Sequence, residues 1–348
     1  VLVDLASPAP SLIATHSHPI TDDLRDAILT LCTGDVESLP ALGETHIALG
    51  ELFAQASLRL LDLADIAAND VAGIGSHGQT IWHAPNGDKP FTLQIGDANI
   101  IAELTGITTV SDFRSRDMAV GGQGAPLAPL LHQHQFASAR TSRAIINIGG
   151  ISNITFLSPE TPAFAFDSGP GNVLMDGWIA KHRGRNFDEK GNWARGGMVH
   201  KALLAKLQQD AYFSKGAPKS TGRELFNSAW LETKLESFNQ PMAPVDVQAT
   251  LAQLTIQTLV NALNEHGEPE EIYVCGGGAH NRVLMEGLAN ALATRTVSTT
   301  EALGIHPDWV EAIAFAWIAK QTMNGRAVDT SGFTGARTPV VLGAVYQR

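Results

Sequence analysis

Residues 166–172 read FDSGPGN and place a lone acid where it could do chemistry. A short apolar run, Ala163 to Phe166, has strand character and delivers one carboxylate, Asp167, at its end. Ser168, Gly169, Pro170 and Gly171 then break the chain sharply, and an amphipathic run predicts a helix from Asn172 to His182. Strand, acid, Gly-Pro-Gly and helix hold a carboxylate beside a helix N-terminus, where backbone N–H groups are free for an anion. The same residues also describe a turn whose Asp caps the helix. Taken alone, the stretch leaves both readings open.

Other stretches add to the inventory. Ser76, His77, Gly78, Gln79 and Thr80 lie in GSHGQT (75–80) and offer a polar rim for a sugar, with Trp82 as an apolar plate; a solvated loop fits equally well. Asn147 to Asn153 reads NIGGISN between two strands. There Gly149 and Gly150 would supply positive φ and a nest of N–H groups for phosphate, or simply a hairpin turn. Cys275 to Asn281 reads CGGGAHN between a strand and a helix. Gly276, Gly277 and Gly278 there leave room for a flat ligand against bare backbone, which a plain turn rarely needs. Residues 217–224, APKSTGRE, form a polar loop with two cations. Glu311 stands early in the last long helix, three residues after Asp308, a spacing that also suits a capping box.

Some chemistries are excluded. Residues 73–78 spell G-x-G-x-x-G, but Ile81 to Gly87 contain Pro85 and cannot form the helix that a dinucleotide site needs. His16/His18 and His132/His134 have strand-like ligand spacing without an evident third ligand, so no metal ligands are assigned. No G-x-x-x-x-G-K-[ST], G-x-S-x-G or protein-kinase set occurs.

The elements that must position these residues alternate. Strands are expected at Val1–Leu5, Leu12–Thr15, Val71–Gly75, Phe91–Ile95 and Thr108–Val110, with helices after Thr21, over about Leu42–Leu63, and from Asp97 to Leu104. Leu127 to Phe136 reads as a connecting helix. Three strands follow, Ala144–Ile148, Asn153–Leu157 and Ala163–Phe166, then helices and the strands Ile272–Cys275 and Arg295–Val297. In the helix expected at Val245–Asn264, Ile256, Leu259, Val260 and Leu263 form an apolar stripe. The first half reads as a weaker copy of the second. The pattern predicts a two-lobed α/β protein with mixed sheets, helices on their faces and the site in a cleft. The first lobe is expected at 1–125 and the second at 126–348, the C-terminal part packing back on the first.

The 348 residues exceed one core, and 44% hydrophobic with 17% charged residues describes a well-packed chain. A net charge of -11 without a Lys/Arg cluster argues against a nucleic acid partner. Cys32 and Cys275 read as reduced thiols and suggest a cytoplasmic address. No 18-residue apolar run or signal peptide is visible, so no membrane association is expected.

In this order, GSHGQT, DFRSRDMAVGGQGAPL (112–127), NIGGISN, FDSGPGN, KSTGRELFN, CGGGAHN and the Glu311 helix resemble the anhydro-N-acetylmuramic acid kinase family over essentially the whole chain. The resemblance implies two RNase-H-like lobes of the actin-like ATPase type, closing over ATP and Mg²⁺. It implies a kinase of cell-wall peptidoglycan recycling that opens the 1,6-anhydro bridge of its sugar with water and phosphorylates O6. By motif match, Asp167 would be the general base and Glu311 would assist. The GSHGQT residues and Arg116 would hold the sugar, Gly149 and Gly150 would face the ATP phosphates, and Gly276 to Gly278 with Asn281 would flank the adenosine. Mg²⁺ would be carried by phosphates and water, and the family suggests a homodimer.

The family opens with a strand and a loop of the pattern MSGTSxDGxD, and this sequence begins just after where that loop belongs. A truncated record is expected. The alternatives are a non-catalytic sugar- or nucleotide-binding relative and a phosphotransferase acting on another sugar.

Overall fold

In the computed structural model, which describes residues 1–34, 38–217 and 219–348, the chain divides into two compact units. One comprises Val1–Leu131 and Glu311–Arg348, the other His132–Val310.

In the first unit, β1 (Leu2–Asp4) pairs antiparallel with β2 (Ser11–Ala14). The helix Asp22–Cys32 starts where Thr21 Oγ1 accepts the Leu24 N–H, and it buries Ile28 and Leu31. The helix Leu39–Ala64 begins earlier than the apolar pattern suggests, because Ser38 caps it and Pro40 suits its first turn. The strand expected at Val71–Gly75 shrinks to β3 (Ile74–Gly75), since Ala68–Asp70 form a 3-10 turn. Next come β4 (Gln79–Ala84) and β5 (Phe91–Ile95), an antiparallel hairpin. Asp97 caps the helix Ala98–Thr105, and Gly106, at φ +66°, ends it. Then β6 (Thr109–Ser111) lies parallel to β3 and antiparallel to the C-terminal strand Ala344–Tyr346. Ile28, Leu31, Leu49, Ile81 and Ile95 form a core beneath the hairpin. The strands of this unit therefore lie in three small sheets.

The second unit is built on one five-stranded mixed sheet. Strands β7 (Arg143–Ile148), β8 (Ile151–Leu157) and β9 (Phe164–Pro170) make an antiparallel meander. Parallel strands β10 (Glu271–Cys275) and β11 (Thr296–Thr299) continue it in the order β11-β10-β7-β8-β9. The helix Pro244–Glu265 buries the predicted stripe Ile256, Leu259, Val260 and Leu263 in a core shared with Ile146, Ile154 and Phe166. The α/β architecture with mixed sheets and packed helices matches the expectation. One boundary does not. Strand β9 runs on to Pro170, so Asp167 lies inside it rather than at its end. The strand tolerates that proline because it is the sheet edge.

Candidate functional site

In the second unit, Asp167 is partly buried on edge strand β9 and is held on its outer side by the segment after the helix Lys201–Gln208. Its N–H donates to the Lys219 carbonyl at 3.0 Å, and its own carbonyl accepts the Tyr212 hydroxyl at 2.7 Å. Its carboxylate Oδ2 accepts the Thr221 N–H at 2.9 Å. Tyr212 is buried, edge-on to Phe226, and the Lys219 ammonium sits 5.0 Å from its ring centroid. Burial, reinforced by the charges of Asp167 and Glu224, pushes the Tyr212 hydroxyl far up, so it remains a donor. Burial lowers the Lys219 ammonium from its ordinary value. Asn153 is the register partner of Asp167 on β8. Asn153 Oδ1 and Thr221 Oγ1 are both buried without a hydrogen-bond partner among the described residues. Pro218, read as part of the polar loop, lies outside the described residues.

The N–H groups expected to be open at the start of the helix Val173–Arg183 are largely committed. Those of Gly171, Asn172 and Val173 donate to the carbonyls of Gly150, Gly149 and Gly150 at 2.8–3.1 Å. Neither Gly149 nor Gly150 has a positive φ, so the anticipated nest is not formed. Bare backbone is present all the same. A Cβ on Gly149 would meet nothing nearer than the Ile151 carbonyl at 3.5 Å, and one on Gly150 would face the Arg223 guanidinium at 3.7 Å. Asp176, in the first turn of that helix, is raised to about 6 by burial, against the pull of Arg223 and with a push from Asp188.

The three glycines of 276–278 differ from one another. Gly276 has φ +77°, and a Cβ there would come within 2.3 Å of Asn147 Oδ1 and 2.9 Å of the Ile148 carbonyl. A Cβ on Gly278 would strike the Ile148 side chain at 2.3 Å. Packing against β7 thus demands glycine at both positions. Only Gly277 faces room, with Asn172 Nδ2 at 3.7 Å the nearest atom. Asn281 caps the helix Arg282–Ala291, its Oδ1 accepting from Val283 and Leu284. Asp308 does not serve a capping box, because its Oδ1 is taken by His280 Nε2 at 2.6 Å; His306 Nδ1 accepts the Asp308 N–H instead.

In the first unit, Ser76 is buried and its N–H pairs with Val110. Gly78 takes φ +72° where a Cβ would meet the Ile95 carbonyl at 2.8 Å. His77 Nδ1 contacts the Gly78 carbonyl at 2.8 Å, and its Nε2 accepts from Arg114 Nε and Nη2 at 3.0 and 2.8 Å. Burial first and Arg114 second lower His77 to about 3, so the ring is neutral and packs on Phe315 at 4.5 Å. Arg114 Nη1 also holds the Gly124 carbonyl at 2.7 Å. Arg116, the arginine singled out in the sequence, is exposed on the helix Phe113–Ala119. Gln79 and Thr80 enter β4, where Gln94 donates to Thr80 Oγ1 at 3.2 Å. Trp82 lays its ring on Gly34, where a Cβ would meet it at 2.5 Å. Glu311 is exposed at the start of the helix Val310–Met323. Among the described residues no helix is long and apolar enough to cross a membrane, and no group of three or more His, Cys, Asp or Glu could hold a metal.

The family model for anhydro-N-acetylmuramic acid kinase matches residues 1–348. The chain belongs to that family. It is 48% identical over 338 residues to the anhydro-N-acetylmuramic acid kinase of Coxiella burnetii (strain RSA 493 / Nine Mile phase I), covering 96% of this chain and 90% of the relative. The kinases of that name from Aliivibrio fischeri and Photobacterium profundum are 45% and 47% identical, each alignment covering 99% of this chain and 94% of the relative. Among solved structures, the activator of the 2-hydroxyisocaproyl-CoA dehydratase from Clostridium difficile with bound ADPNP aligns at 13% identity and a TM-score of 0.37, over 69% of this chain and 90% of that one. That likeness is too slight to carry an argument.

Proposed function

We propose that this kinase opens the 1,6-anhydro bridge of anhydro-N-acetylmuramic acid with water and phosphorylates the released O6 from ATP, giving N-acetylmuramic acid 6-phosphate and ADP. The observation that carries the reading is Asp167, a single partly buried carboxylate fixed at both its backbone and its Oδ2. In the reaction, water attacks C1 while Asp167 takes its proton. The C1–O6 bond breaks, O6 attacks the γ-phosphorus, and ADP leaves. A base of this kind is worth about 10²–10⁴-fold.

The remaining roles belong to the same proposal. Ser76, His77, Gly78, Gln79 and Thr80 bind the sugar, and Arg114, through its pairing with His77, shares the part assigned to Arg116. Glu311 assists at the sugar. Gly149, Gly150 and Gly277 take the nucleotide, since each leaves bare backbone open, and Arg223 over Gly150 supplies a cation for phosphate. Gly276, Gly278 and Asn281 shape that turn. Mg²⁺ bound with the phosphates would neutralise their charge; the described residues offer it no protein cage. The lobe division at residue 125 and a cytoplasmic address, both read from the sequence, and a homodimer, implied by the family resemblance, form part of the proposal.

The test is ADP release that depends on the anhydro-sugar, with the phosphorylated product confirmed by mass. Asp167→Asn is expected to cut turnover at least 10²-fold while sugar binding persists. Unchanged turnover in that variant would remove Asp167 from the mechanism.

A further inference from the structure

Strand β9 has a ladder partner on one side only, so its outer backbone groups need another source of hydrogen bonds. At Asp167 one source is the segment that carries Tyr212, Lys219 and Thr221. Tyr212 donates to the Asp167 carbonyl, Lys219 accepts its N–H, and Thr221 donates to its carboxylate. The segment is anchored at Tyr212, whose ring is buried among Phe213 and Phe226 and covered by Lys219. Thr221, which donates its N–H to Oδ2, and Asn153, the register partner of Asp167 on β8, each carry a buried side-chain oxygen without a hydrogen-bond partner among the described residues. One tyrosine hydroxyl and two peptide groups help to fix this corner from outside the sheet.

We propose that Tyr212 is a positioning residue for the Asp167 carboxylate: its hydroxyl latches residues 212–217 to the sheet edge and so helps to keep residues 219–221 in place, with the Thr221 N–H on Oδ2. The inference rests on Asp167 being the general base. Without the latch the segment loosens, the N–H leaves Oδ2, and the carboxylate loses both its aim and a donor that favours its ionised form. Other charged groups at this corner are Lys215 and Lys219 over the Tyr212 ring, Glu224, whose charge acts on its hydroxyl, and Asp210, which accepts the Tyr212 N–H at 3.1 Å and pairs with Lys234. From the end of the helix Pro244–Glu265 come Glu265, which acts on Lys219, and His266, edge-on to Phe166 at 4.8 Å. Strand β8 contributes only the uncharged Asn153.

The experiment compares Tyr212→Phe, Phe226→Leu and Asp167→Asn in sugar-dependent ADP release across pH, with a thermal melt of each. Tyr212→Phe keeps the ring and loses one hydroxyl. Its kcat is expected to fall about ten-fold or more, with KM for the anhydro-sugar unchanged and the acid limb of the kcat profile moved to higher pH. Phe226→Leu loosens the packing around Tyr212 but spares the hydrogen bond, and is expected to lower the melting temperature while the acid limb stays in place. A Tyr212→Phe enzyme with kcat within two-fold of wild type and an unmoved limb overturns the proposal, as does an equal shift of the limb in Phe226→Leu. Full turnover by Asp167→Asn would instead strike at the base assignment, and the latch would fall with it.

Discussion

Alanine at each of the three consecutive glycines 276–278 should produce two kinds of damage that a sequence motif cannot tell apart. Gly276 combines φ +77° with ψ 177°, a region open essentially to glycine alone. Alanine there stores about 1–3 kcal/mol of backbone strain before the 2.9 Å approach to the Ile148 carbonyl is counted. At Gly278 the new methyl would lie 2.4 Å from Ile148 Cβ, an atom of a fully buried strand residue that cannot swing aside. Overpacking of that kind costs about 1–3 kcal/mol. Gly277 has only Asn172 Nδ2 at 3.7 Å, so alanine is expected to change stability by less than about 1 kcal/mol, in the stabilising direction if anything. For domains of this size 1 kcal/mol moves Tm by roughly 2–4 °C. Gly276→Ala and Gly278→Ala should therefore melt about 2–12 °C early, and Gly277→Ala within about 4 °C of wild type. The ligand reading comes from a second melt with Mg-ADP. At one hundred times Kd a ligand adds about 2.7 kcal/mol, a shift that Gly277→Ala should largely lose. If Gly277→Ala melts as early as Gly278→Ala, the packing argument is wrong. If it keeps the whole ADP shift, the nucleotide does not lie on that glycine.

Further outcomes follow from two buried titrating groups, Asp176 and His77. Asp176 sits at about 6, above the ordinary aspartate value of 3.8, so its ionisation penalises the folded state increasingly from pH 4 to 6 and fully above that. After allowance for its partial exposure, Asp176→Asn should stabilise the protein by about 1–2 kcal/mol at pH 8 and leave it unchanged at pH 4; equal effects in denaturant at both values would sink the argument. His77, lowered to about 3, should show no imidazole titration by NMR between pH 8 and 5. Because the unfolded ring binds its proton first, His77 costs stability as pH falls from about 6.5 toward 3. Arg114→Met, which strips both donors from Nε2, should cost about 1–3 kcal/mol at pH 7.

Much of the second unit could be read in advance because its signals are local and redundant. The stripe from Ile256 to Leu263 faces the core, and the strands expected at 144–148, 153–157 and 163–166 appear as β7, β8 and β9; in the first unit the helix ends at Thr21, Asp97 and Gly106 follow capping chemistry as well. The first unit was less legible. Its strand β3 has two residues, too few for a period to declare itself, although the strand expected at Thr108–Val110 does appear as β6. Strand β4 went unseen for another reason: Gln79, Thr80 and His83 made it read as a polar loop, while its register with β5 is broken between Thr80 and Trp82.

The site residues missed in the sequence share a cause, which is that each acts at a distance the chain does not advertise. Arg114 and Arg116 are two apart in DFRSRD, and on a helix residues so spaced do not share a face. No helix was expected within 112–127, and the argument that separates them comes from one, since Phe113, Asp117 and Met118 mark the buried side of the helix Phe113–Ala119. Tyr212 lies 45 residues from Asp167 and in no glycine motif. What could have found it is a topological necessity rather than a pattern: a partly buried acid on an edge strand must have its outer backbone groups paired from outside the sheet. The strand extends to Pro170, so that necessity became visible only when the edge was known. An apolar run of four residues before Asp167 did not reveal it.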